Sequence, residues 1–156
     1  MGSTPGIEWT FLRAGEFMTN MLDWADTIRT EGVVRGAYGA PAFAPIDLID
    51  IAAVAAKTLL THGHYGAKYV LTGPESLSKI DRVRIIGEAI GRDIRFVELT
   101  HDEARAEMIT RGYGDAADWL LDGDALAIEH PQLPDPTVAR LLGRPARTFA
   151  QWAAAN

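Results

Sequence analysis

A chain of 156 residues, 47% apolar and 23% charged, is long enough for one domain with a substantial core and too apolar for global disorder. Its net charge of −6, with Lys and Arg scattered, argues against nucleic acid as a partner, and no apolar run approaches the roughly 20 residues of a membrane helix. The absence of cysteine excludes disulfides, thiolate catalysis and thiolate metal sites, and the start is not a signal peptide, so a cytoplasmic protein is expected.

Ile7 to Leu12, rich in β-branched and aromatic residues after Pro5-Gly6, predicts a buried strand. Arg13-Ala14-Gly15 reads as a turn. Glu16 to Ile28 carries Phe17, Met21, Trp24, Ala25 and Ile28 at helical spacing. Gly32, Gly36 and Gly39 break the next stretch into short strands or loop, and Ala42 to Ile46 reads as a short strand. Asp47 is placed to cap an Ala-rich helix from Leu48 to Leu60, which the segment His62-Gly63-His64-Tyr65-Gly66 ends. Lys68 to Thr72 is a second good strand. Ser78 with Asp81 forms a capping box for a helix to Ile90, with Gly91 at its stop.

Asp93 to Leu99 reads as a strand. Thr100 with Glu103 is a clear capping box for a helix to Thr110, and a further helix spans Asp115 to Glu129. Pro131, Pro134 and Pro136 make a stiff connector. Asp135 caps a short helix to Leu142 with Pro136 at its first position, and Thr148 with Gln151 boxes a last helix. The order β-α-β-α-β-α-β-α-α-α-α indicates a single α/β domain, with α/β structure up to about residue 100 and a helical tail beyond it.

Four segments together resemble the NmrA-like, atypical short-chain dehydrogenase family. They are Trp9 to Asn20 (WTFLRAGEFMTN), Ala42 to Ala52 (AFAPIDLIDIA), Tyr69 to Ser78 (YVLTGPESLS) and Gly143 to Phe149 (GRPARTF). They run in order and cover nearly the whole chain. The resemblance is to the C-terminal part of such proteins, and it implies a truncated Rossmann-like remnant without the N-terminal nucleotide-binding half. No G-x-x-G-x-x-G is present, and Tyr65 and Lys68 are one residue too close for a Tyr-x-x-x-Lys pair. Ala14 stands where the family usually has Pro, which frees φ in a loop that normally borders nicotinamide and substrate. On this reading the strands at 7–12 and 68–72 lose their partners, and a homodimer is expected to complete the sheet.

Arg13, Glu16 and Asn20 cluster at a strand-to-helix turn, where open α/β sheets bind ligands. Glu16 is the candidate base and Asn20 the candidate to orient a substrate carbonyl; the alternative is that Glu16 only favours a helix N-terminus. Phe17, Trp24, Tyr38, Phe43, Tyr113 and Trp119 are candidates to line an apolar substrate pocket, against the simpler alternative of core packing. His62 and His64 lack placeable carboxylate companions, so no metal site is expected. His101 beside Asp102 and Glu103 reads as an exposed first-turn residue or a general base. Asp47 and Asp50 read as cap and first-turn acids.

The resulting expectation is a cofactor-independent enzyme acting on an apolar carbonyl compound by cyclisation, isomerisation or elimination. No cofactor is expected unless a second chain or a dimer rebuilds an NAD(P) site. The alternatives are an NAD(P)-dependent oxidoreductase fragment that needs a second chain, and a non-catalytic ligand-binding or regulatory protein. A small molecule is the expected partner, without nucleic acid or membrane.

Overall fold

The computed structural model describes residues 7–156. Strand β1 (Phe11–Ala14) pairs in parallel with β4 (Lys68–Leu71), in the register Phe11 to Lys68 and Ala14 to Leu71. The two strands expected to need outside partners therefore pair with each other. Ala14 closes β1 in ordinary extended pairing. A second parallel pair joins β2 (Val33–Gly36) to β6 (Arg95–Glu98), and a short antiparallel pair joins β3 (Ala42–Phe43) to β5 (Leu77–Ser78).

The helix expected from Glu16 starts late. Ile46 N–H donates to the Glu16 carbonyl at 2.8 Å and Met18 N–H to the Ile46 carbonyl at 3.0 Å, so a parallel bridge between Phe17 and Ile46 holds the segment extended. A 3-10 turn then covers Met18–Trp24 before helix α1 (Ala25–Glu31), which stops at Gly32 with φ 68°. The strand expected from Ala42 to Ile46 is split in the same place, with Pro45, which has no N–H to give, between β3 and the Ile46 bridge. Gly73 follows β4 where a Cβ would meet the Pro45 carbonyl oxygen at 1.9 Å, so only glycine allows this approach.

Helix α2 (Leu48–Leu60) is capped by Asp47, whose carboxylate accepts from Ile49 N–H at 2.9 Å. Helices α3 (Lys79–Ile90), α4 (His101–Thr110) and α7 (Phe149–Ala153) each open on a complete capping box, at Ser78–Asp81, Thr100–Glu103 and Thr148–Gln151. Helix α5 (Ala116–Leu126) packs on α4, and α6 (Thr137–Leu142) packs on α2. Before α6, Asp135 accepts from Thr137 N–H at 2.8 Å.

Three apolar clusters knit these elements together. Met18, Met21, Phe149 and Trp152 lock the 3-10 turn to α7; Ile46, Val54, Leu71 and Val138 sit between α2, β4 and α6; Ile28, Val34, Val83 and Ile94 lie between α1, the β2–β6 pair and α3. The C-terminal segment is pinned electrostatically. Arg147 N–H donates to Asp50 Oδ2 at 2.7 Å, the Arg147 guanidinium pairs with Asp47, and Arg144 Nη2 stands 2.8 Å from Asp50 Oδ1. Asp47 and Asp50 are buried. They are therefore cap and clamp, tying two of the motif segments to each other. Among the described residues no helix is long and apolar enough to cross a membrane.

Candidate active site

A cleft of about 400 Å³ opens between the 3-10 turn, the end of β2, the start of α3 and the α4–α5 pair. Its polar lining includes Glu16, Asn20, Asp23, Lys79, Tyr113 and Asp124. Its apolar wall includes Met21, Trp24, Phe96, Met108 and Leu121. A fourth cluster, of Ala37, Ala104 and Leu121 with Leu99 and Met108, holds α4 and α5 on the body beneath it.

Glu16 enters this cleft two residues beyond the end of β1. It is fixed from behind by Arg82 of α3, which is fully buried. Arg82 Nη1 lies 2.9 Å from both Glu16 oxygens, aligned for a hydrogen bond to Oε1 only, so Oε2 is buried without a hydrogen-bond donor. Arg82 is satisfied elsewhere by the Leu77 carbonyl, which accepts from Nε at 3.2 Å and from Nη2 at 2.9 Å. A buried guanidinium can persist only with such partners.

Lys79, the first residue of α3, donates to the Ala37 carbonyl at 2.9 Å and to Asp124 Oδ2 of α5 at 2.5 Å. Both side chains are mostly shielded, 17% and 19% exposed. On another side of the cleft the Tyr113 hydroxyl donates to Asp23. The hydrogen bond to Asp23, with burial and the Asp23 charge behind it, holds the Tyr113 phenol above the ordinary tyrosine range; Arg111 opposes this.

Of the residues singled out from the sequence, Glu16, Asn20, Trp24 and Tyr113 line the one cleft. The others lie outside it. Arg13 is the exposed residue of β1, facing away because strand side chains alternate. Phe17 is 39% exposed on the bridge to Ile46. Phe43 sits under the Arg82 guanidinium, 6.0 Å from ring centroid to Cζ. Tyr38 adopts φ 55°, and its hydroxyl is 3.0 Å from His101 Nδ1, beside a separate groove with Glu98 and Pro131. Trp119 is 75% exposed on α5. His64 is engaged by Thr61 at 3.0 Å and by the Tyr69 hydroxyl at 2.8 Å. The sequence reading missed Arg82, Lys79 and Asp124. The capping box locates Lys79, but nothing local marks a partner 45 residues away.

No family model matches the chain. It is 38% identical over 96% of its length to (4-alkanoyl-5-oxo-2,5-dihydrofuran-3-yl)methyl phosphate reductase of Streptomyces griseus, covering 53% of that protein. It is 37% identical over 97% of its length to NAD(P)H azoreductase of Xenophilus azovorans, covering 54% of it. The NADPH-dependent quinone oxidoreductase of Escherichia coli, solved with NADPH, superposes with a TM-score of 0.82 at 29% identity over 96% of this chain and 54% of that one. The chain thus spans about half the length of the curated relatives it matches.

These relatives overturn two expectations. A cofactor-independent cyclase, isomerase or lyase does not fit relatives that are reductases, and the absence of a cofactor does not fit an azoreductase relative named for NAD(P)H and a structural neighbour solved with NADPH. The fold is α/β with Rossmann-like neighbours, and the relatives reported for this chain are reductases, one of them named for NAD(P)H, beside a structural neighbour named for NADPH.

Proposed function

We propose that this chain forms the substrate-facing, C-terminal part of an NAD(P)H-dependent reductase, with the cleft at Glu16 as the place where substrate meets nicotinamide. The observation that carries this reading is the position of the cleft. It lies beyond the carboxyl end of parallel strand β1, where α/β proteins bind ligands, in a chain 38% identical to a reductase.

The residues present fit one end of the cofactor. The Glu16 side chain is a quarter exposed at the cleft and its carboxylate accepts one hydrogen bond, from Arg82, which leaves acceptor capacity for a carboxamide N–H, and Trp24 and Met21 supply apolar surface for a flat ring. A diphosphate needs a glycine-rich turn at a helix N-terminus, and these 156 residues contain no G-x-x-G-x-x-G. The proposal therefore assigns this chain the nicotinamide end. NAD(P)H supplies a hydride when bound. Among the donors lining the cleft, Asn20 and Lys79 are assigned to a substrate oxygen that gains charge, and the apolar wall limits the water that reaches it. By their names the relatives act on a phosphorylated oxo-dihydrofuran, an azo compound and a quinone. A conjugated hydride acceptor is common to all three, and we propose that class for this chain.

The test is NADPH oxidation with 1,4-naphthoquinone as acceptor. Quinone-dependent oxidation that falls about tenfold in kcat/KM in Asn20→Ala, the loss of one substrate hydrogen bond, supports the proposal. Binding of NADPH with no quinone-dependent oxidation counts against it. Among the described residues the β1–β4 pair has no further strand on either edge, and we propose a second copy as cover. Light scattering then gives twice 17.0 kDa, and a monomer at all concentrations refutes that part.

A further inference from the structure

The cleft is rich in charge but, among the described residues, offers no unneutralised cation. Three cationic side chains line it, and each has a carboxylate within ion-pairing distance: Lys79 with Asp124 at 2.5 Å, Arg35 with Glu31 at 2.6 Å, and Arg111 with Glu107 at 3.8 Å. Arg82, behind the wall, is taken by Glu16. Against the three lining cations stand four lining carboxylates, Glu16, Asp23, Glu107 and Asp124. The Tyr113 proton is committed to Asp23.

Lys79 is the most enclosed of the lining cations. Two of its three ammonium protons go to Ala37 and Asp124, which leaves one donor for a ligand. That donor belongs to a neutralised pair. It suits an uncharged oxygen. A phosphomonoester carries about −1.5 to −2 charges at neutral pH and wants bidentate or clustered cations. Here it would face Asp23, which has no ion pair among the described residues, and could take Lys79 only by competing with Asp124.

We propose that, in contrast to the Streptomyces griseus relative named for a phosphorylated substrate, this cleft selects an uncharged conjugated carbonyl compound and excludes phosphomonoesters, and that the Lys79–Asp124 pair is the specificity determinant. The inference rests on the reading of the cleft as a substrate site. Asp124 acts by holding the ammonium and cancelling its charge, so it is a selecting group and not a catalytic one.

The experiment compares two flat probes of similar size, 1,4-naphthoquinone and 1-naphthyl phosphate, by calorimetry on the full chain. Each titration is repeated by NMR on the indole N–H of Trp24, which reports occupancy of the cleft. The expected result is naphthoquinone binding at least about tenfold tighter than naphthyl phosphate, both moving Trp24 where they bind. In Asp124→Asn, an isosteric change that frees the ammonium, naphthyl phosphate gains about tenfold and naphthoquinone changes far less. A melting curve checks that the variant is folded, and Asp124→Ser serves if Asp124→Asn is not. Equal or tighter binding of naphthyl phosphate by the unmodified chain, or a ratio unmoved by freeing Lys79, overturns the inference while leaving the cleft as a substrate site. Failure of both probes to move Trp24 removes the substrate site itself, and the inference with it.

Discussion

Replacing Arg82 by Met tests the anchor of the site. The side chain is fully buried, stands over Phe43, donates twice to the Leu77 carbonyl and holds Glu16 at 2.9 Å. Met keeps much of the length and removes every donor. Breaking a buried ion pair costs about 3–5 kcal/mol. Glu16 is 25% exposed and can recover some hydration through the cleft, so the low end, about 3 kcal/mol, applies to the pair. The Leu77 carbonyl left without its donor adds about 1 kcal/mol. The sum, about 4 kcal/mol, lowers the melting temperature of a chain this size by roughly 12 °C. Thermal melts followed by circular dichroism read this directly. The double change Arg82→Met with Glu16→Leu removes both charges and recovers most of the loss, since an apolar pair of similar volume replaces an ion pair at little cost. A shift of the single variant below about 3 °C, or a double variant no better than the single, refutes the claim that this pair organises the cleft.

Asp50→Asn weakens the clamp on the C-terminal segment. Discounted for the partial exposure of Arg144, the loss is about 2 kcal/mol, or roughly 6 °C, and tryptic cleavage at Arg147 accelerates. The Asp81 carboxylate is held below its ordinary range chiefly by the Ser78 hydroxyl, so its contribution is whole above the ordinary value of 3.8 and is lost as pH falls through the lower folded value. The melting-temperature gap between the unmodified chain and Asp81→Asn therefore closes as pH falls from neutral to below about 3.8; a gap that stays constant contradicts this. Tyr113 ionises later than an ordinary tyrosine, and in an alkaline ultraviolet titration Tyr113→Phe removes the late component and no other.

What was legible in the sequence is what neighbouring residues decide. The boxes at Ser78, Thr100 and Thr148 and the Asp47 cap are local hydrogen-bond patterns, and all four form as read. The segment after Glu16 departs from the helix its spacing predicts because its conformation is set by Ile46, thirty residues on, whose backbone holds it extended before any helix starts. The lining of the candidate cleft was legible in part. Trp24 and Tyr113 reach the cleft, but Trp119 lies two residues from Leu121, and two steps turn about 200° around a helix, so Leu121 faces in and Trp119 faces out. Arg82 and Lys79 were invisible as site residues. On an amphipathic helix they read as solvated charges, and only the fold brings Glu16 and Asp124 to them.

The most direct test of the central claim is an NMR titration of the full chain with NADPH up to millimolar concentrations, read at Glu16, Asn20 and the Trp24 indole. The account gives saturable shifts at these residues, and 1,4-naphthoquinone added afterwards is reduced. Shifts confined to other surfaces, or none at all from a folded chain, would contradict the assignment of this cleft to the nicotinamide end of a reductase.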